Sequence, residues 1–132
     1  MIPDDRRYAR THLWVKVEDD EATVGLTSFA QEQMGEITYV EFSAAGVDVD
    51  PGDECGVIES LKAASELAAP VGGRVSEVNG ELQDRPEVIN ESPYDEGWLF
   101  RMEDFNEDEV GRLMSADEYA RFIQRRPPSA KP

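Results

Sequence analysis

Cysteine is nearly absent, with Cys55 the sole thiol in 132 residues. No internal disulfide can form, so a reducing cytoplasm is the expected compartment. Cys55 falls in a strand-like run and is expected to be a packed core residue. Long apolar runs are also missing, and nothing approaches the roughly 18 residues that a membrane span needs. The opening MIPDDRRYAR holds two acids and no apolar stretch, which does not suit a secretory signal. Histidine occurs once, as His12, and is read as structural rather than as a ligand. One His and one Cys leave little material for a metal cluster or a catalytic triad, and no phosphate-binding loop is present. A stand-alone enzyme is therefore not expected.

Basic residues are scarce too. Lys and Arg number 13 against 29 Asp and Glu, for a net charge of −16. Four of the thirteen (Arg121, Arg125, Arg126 and Lys131) lie in the last twelve residues, where there is no acid. The preceding 120 residues thus hold nine basic groups against 29 acids, a net of −20. Such a body repels nucleic acid and anionic lipid and is steered toward partners with basic faces. Solubility, or life in a salty cytoplasm, would give the same composition.

What is there is a series of short strands. LWVKVE (13–18) and ATVGLT (22–27) alternate apolar and polar residues around a DDE turn (19–21). Ser28 is expected to start a short helix with Gln31 as its capping-box partner, and Gly35 to stop it. ITYVEF (37–42) reads as a central strand, DPGD (50–53) as a turn, and ECGVIES (54–60) and GRVSEVN (73–79) as further strands. Asn79-Gly80 is a turn signal. RPEVINESPYDEG (85–97) reads as a loop-rich connection and WLFRME (98–103) as the last strand. The acid run EDFNEDE (103–109) is taken as solvated charge near a helix start. Asn106 with Glu109, and Ser115 with Glu118, are capping boxes that open two C-terminal helices. This pattern predicts a mainly β fold, a small sandwich or flattened barrel with short helices and a C-terminal helical segment. One domain over residues 1–126 is expected, followed by a flexible tail at 127–132.

Lysine is rare enough to stand out. Only Lys16, Lys62 and Lys131 occur, and Lys62 sits among small and apolar residues in GVIESLKAASELAAPVGG (56–73). The strand before it and the return through Pro70 and Gly72-Gly73 place it near a hairpin tip. Ala63 and Ala64 leave room for another enzyme's active site to close over the amine. Glu59 and Ser60 precede it and Glu66 follows; Glu59 and Ser60 either serve that site or merely end a strand.

GVIESLKAASELAAPVGGRVSEVN resembles the lipoyl-attachment segment of the glycine cleavage system H protein family. HLWVKV, VGLTSFAQEQMGEITYVEF, PEVINESPYDEGWLF and LMSADEY resemble further segments of that family, so the likeness runs from about residue 8 to residue 123. The resemblance implies the lipoyl-type fold and a lipoate joined by an amide bond to Lys62. It implies a non-catalytic carrier whose arm shuttles an intermediate between enzymes, loaded by a lipoate ligase or lipoyl transferase. A biotin carrier is built on a similar hairpin, but its lysine typically has Met on both sides, whereas here Leu61 and Ala63 flank it.

The family's His-Glu-Trp is His12-Leu13-Trp14 in this chain, and in the family that Glu helps hold the amino group of the loaded arm. Leu13 supplies no charge pairing. Leu26-Thr27-Ser28 and Phe42-Ser43 also depart from the family pattern, while Glu66 keeps an acid near the lysine. The loss of the acid at position 13 points toward an H-like lipoate-binding protein of sulfur oxidation, working with a heterodisulfide-reductase-like complex. The alternative is the glycine cleavage H protein, which carries the aminomethyl group from glycine decarboxylase to aminomethyltransferase and has its arm reoxidised by dihydrolipoamide dehydrogenase. A third reading, a plain interaction module using its acidic face, would not need Lys62.

Overall fold

A computed structural model of the chain describes residues 2–125. The tail expected at 127–132 lies outside these residues, as does Arg126. β1 (Arg7–Tyr8) pairs with β2 (Leu13–Glu18), which forms a two-residue hairpin with β3 (Glu21–Leu26). Asp19 opens that turn at φ 55°, a conformation Asp tolerates better than most residues. β2 is not simply alternating. Leu13, Trp14 and Val15 are all buried, because Leu13 and Val15 face the main core while Trp14 faces a second, aromatic cluster with Tyr8 and Tyr119. Trp14 lies flat over its partner Gly25, where a Cβ would come within 2.3 Å of the indole.

α1 (Ser28–Met34) follows, and its cap falls one residue earlier than expected. Thr27, not Ser28, is the N-cap, and its hydroxyl accepts the Ala30 N–H. Gln31 is therefore released from capping. Both Thr27 and Ser28 carry a cap-competent hydroxyl, so local sequence does not choose between them. Gly35 ends the helix at φ 81°, ψ −156°, a region open essentially to glycine alone.

β4 (Ile37–Phe42), β5 (Asp48–Val49), β6 (Glu54–Ser60), β7 (Ala64–Ala68), β8 (Gly73–Val78) and β9 (Phe100–Glu103) complete two antiparallel sheets. The larger runs β1-β2-β3-β9-β8-β5 and the smaller β4-β6-β7. The fold is a mainly β sandwich with short helices and no closed barrel. ITYVEF is a strand but an edge one, since β6 takes the centre of the small sheet by pairing with both β4 and β7. Its apolar look misleads because Tyr39 is exposed and Phe42 only half-buried. The inner faces meet in one core that includes Val24, Ile37, Ile58, Leu67, Val75, Phe100 and Met102. Cys55 belongs to it, and burial pushes its thiol up to about 11.

The connection between β8 and β9 is more regular than its sequence suggests. It contains α2 (Glu81–Asp84) and α3 (Val88–Glu91). Asn79-Gly80 does not make a hairpin turn, because Gly80 is helical and leads into α2. The Asn79 amide is buried and donates to the Glu96 and Trp98 carbonyls. α4 (Glu107–Arg112) and α5 (Ala116–Arg125) close the chain. The Ser115–Glu118 box is complete, with bonds of 2.8 and 3.2 Å in the two directions. The Asn106–Glu109 box is half made: Asn106 caps the Glu109 N–H, but the Glu109 carboxylate accepts the Gly72 N–H instead. No helix among the described residues is long and apolar enough to cross a membrane.

Candidate functional site

Lys62 stands at the tip of the β6–β7 hairpin, as its sequence context predicts. The turn is organised by Ser60. Its backbone N–H donates to the Ala63 carbonyl at 2.8 Å, and its hydroxyl accepts the N–H groups of Lys62 and Ala63 at 3.2 and 3.1 Å. Ser60 thus does more than end a strand; its side chain satisfies the backbone of the lysine itself. Lys62 is exposed, and its Nζ forms no ion pair among the described residues. The neighbouring Leu61 is 77% exposed. The lysine stem bends over the end of α1, where a Cβ on Gly35 would stand 3.0 Å from Cε and 3.7 Å from Nζ.

Beside this hairpin a cleft of about 390 Å³ opens between α1 and the free edge of β7. Leu13, Leu26, Phe29, Met34, Ile58 and Leu67 supply its apolar lining. Thr11, His12, Gln33, Ser65 and Glu66 supply polar groups. Ser65 and Leu67 reach the cleft from β7. Glu66 borders the cleft only from the free edge of β7, since its register with Val57 puts it on the same outer face as Glu59 and Ala64. Glu59 is not part of it. It stands on the outer face of the small sheet, opposite Tyr39 and Ala64, although only three residues before Lys62.

His12 is both structural and cleft-lining. It takes a left-handed φ of 70°, and its Nδ1 lies 2.9 Å from the Tyr119 hydroxyl, which lies 2.7 Å from the Thr27 hydroxyl. The cleft wall is thereby tied to the cap of α1. Leu13 is buried at the floor, opposite Leu26 in the β2–β3 register. No group of three metal-ligating side chains occurs among the described residues.

Sequence reasoning placed Lys62 at a hairpin tip, as observed, but missed the cleft. Phe29 and Met34 carried a signal, an apolar helix face near a glycine stop. Their meeting with Ala63 and Ser65 across some thirty residues carried none.

A two-sheet sandwich that offers one lysine at a hairpin apex is the architecture of lipoyl domains. The comparisons narrow this further. A sequence model described as glycine cleavage H-protein matches residues 6–126. The glycine cleavage system H protein of Alcanivorax borkumensis is 48% identical over 118 residues, 89% of this chain and 92% of its own. That of Carboxydothermus hydrogenoformans is 41% identical over 124 residues, 94% and 95% of the two chains. The crystal structure of a glycine cleavage system H protein from Mycobacterium marinum superposes with a TM-score of 0.84 at 36% identity, covering 93% of this chain and 99% of that one. The chain belongs to the glycine cleavage H-protein family. This likeness supports the glycine cleavage reading over the sulfur-oxidation one. The latter rested chiefly on Leu13, whereas the identity with glycine cleavage proteins extends along nearly the whole chain.

Proposed function

We propose that Lys62 carries lipoate in amide linkage and that the protein is the mobile carrier between glycine decarboxylase and aminomethyltransferase. The carrying observation is the exposed amine, without an ion pair among the described residues, on a hydroxyl-braced tip beside a cleft of about 390 Å³. These residues fit the group. Ala63 and Ala64 leave the flank of the lysine open to an attaching enzyme, and the cleft offers more apolar than polar lining. When bound, lipoate supplies a sulfur pair that cycles between ring disulfide and dithiol and takes up the one-carbon unit.

The chain's own residues do three things. Ser60 fixes the backbone from which the arm swings, so that mobility is confined to the side chain. Leu26, Phe29, Met34 and Ile58 exclude water from the cleft. Thr11, Gln33 and Glu66 offer acceptors to a cationic amine at a site where Leu13 offers none. Glu66 is the carboxylate among them and takes the charge-pairing role from the cleft's rim, on the edge strand β7. Glu59 faces outward, where it serves recognition by a lipoate ligase or lipoyl transferase. Reoxidation falls to dihydrolipoamide dehydrogenase. The protein positions a cofactor for other enzymes and needs no catalysis of its own.

Intact-mass measurement of protein isolated from its native host tests this. One lipoyl adduct is expected, lost in Lys62→Arg together with glycine cleavage in the reconstituted system. An unmodified native protein, or an adduct on Lys16 or Lys131, would overturn it.

A further inference from the structure

We infer that Asn90 is a positioning residue for Lys62; the inference rests on Lys62 being the attachment point. The hairpin tip projects from the sheet and needs a footing. That footing is the short link from Gly35 to Ile37 that joins α1 to β4. The Lys62 stem lies across Gly35, close enough that a Cβ there would come within 3.0 Å of Cε. The Leu61 N–H makes a long bond of 3.4 Å to the Glu36 carbonyl. Ile37 stands opposite Ser60 in the β4–β6 register, and the Ser60 hydroxyl receives the N–H groups of Lys62 and Ala63.

Asn90 grips this link at both ends. Its Oδ1 accepts the Ile37 N–H at 2.8 Å, and its Nδ2 donates to the Gly35 carbonyl at 2.9 Å and to Gln31 Oε1 at 2.7 Å. The acceptor and the amide group's donors are thus engaged, and the backbone partners fix which way the amide points. Turned over, it would set a donor against the Ile37 N–H and an oxygen against the Gly35 oxygen. The amide is itself held firmly. It rides on α3, whose Val88 and Ile89 are buried, and Gly97 packs so closely that a Cβ would lie 2.9 Å from Ile89 Cα. One side chain therefore refers the base of the arm to the body of the protein.

Gly35 cannot be braced by a side chain of its own, since its dihedrals exclude one. Without Asn90 the Gly35 carbonyl and Ile37 N–H lose their partners and the link loosens. An enzyme that grasps Lys62 must then order the tip as it binds. Such a loss is paid at every encounter and appears in KM rather than in kcat.

The test is lipoylation of the full-length apo-protein by a purified lipoate ligase with lipoate and ATP, at a temperature where every variant is folded. For Asn90→Ala, KM for the protein is expected to rise roughly fivefold with kcat within about twofold of wild type. The isosteric Asn90→Asp, which keeps the Ile37 bond but opposes the Gly35 carbonyl, is expected to shift KM in the same direction. Val75→Ala, a core change far from the tip, lowers the melting temperature and should leave KM alone. Unchanged KM in both Asn90 variants, or an equal rise in Val75→Ala, would overturn the inference. Wild-type protein that gains one adduct on Lys62 in the same assay keeps the carrier reading standing whichever way the Asn90 variants behave.

Discussion

Leu13 shows how one residue can speak about chemistry and about packing at once. It lines the cleft, yet it is buried against Leu26 as part of the core. A carboxylate at this position would have to reach the cleft to be useful. Leu13→Glu is expected to destabilise the fold by about 2–4 kcal/mol, from lost apolar burial and the cost of a half-desolvated carboxylate. Urea unfolding measures that loss. In the reconstituted system the same variant should load faster from glycine decarboxylase, because the new acid pairs with the cationic amine. Lost stability without faster loading would show that Thr11, Gln33 and Glu66 already suffice. The example also marks what a single position can carry. Its change of charge type pointed away from glycine cleavage, while the rest of the chain agreed with it.

Elements were legible where their signals are local. LWVKVE and ECGVIES appear in the structure with the bounds read from the sequence, because a short apolar run closed by turn residues defines a strand without outside help. The complete capping box at Ser115 and Glu118 was legible for the same reason. α2 and α3 were not, since four-residue helices lack a full apolar period, and β1 and β5 have only two residues each. The cleft was least legible of all, because its two walls come from distant segments. The Ser115–Glu118 box carries a pH prediction. Bonding to the Ser115 N–H holds the Glu118 carboxyl below its ordinary value of 4.5. A lowered folded-state value means that the cap's contribution is present above about that pH and is lost as pH falls through the folded value. Thermal melts of wild type and Glu118→Gln should therefore differ at pH 7, with wild type the more stable, and converge as the pH drops below 4.5. A constant gap across that range would contradict the assignment.

On the scale of the whole molecule the dominant fact is charge. A net of −16 on 132 residues attracts cationic surfaces over distances comparable to the Debye length of roughly 10 Å at 0.1 M salt. Encounter with aminomethyltransferase or glycine decarboxylase should accordingly slow as salt rises. Stopped-flow association at 20 and 300 mM salt is expected to show a drop of about tenfold, with dissociation changing much less. Equal association rates at both salts would mean that the acidity serves solubility alone. α1 is a smaller-scale case, a helix with no fully buried residue. It is held by the Thr27 cap, by the Ser28 N–H on the Tyr94 hydroxyl, and by Asn90 through both Gln31 and Gly35. Its Ala30 and Met34 pack, partly buried, against the main core. A cargo seated in the cleft as proposed therefore meets a wall tied at several points to the body of the protein rather than a loose flap.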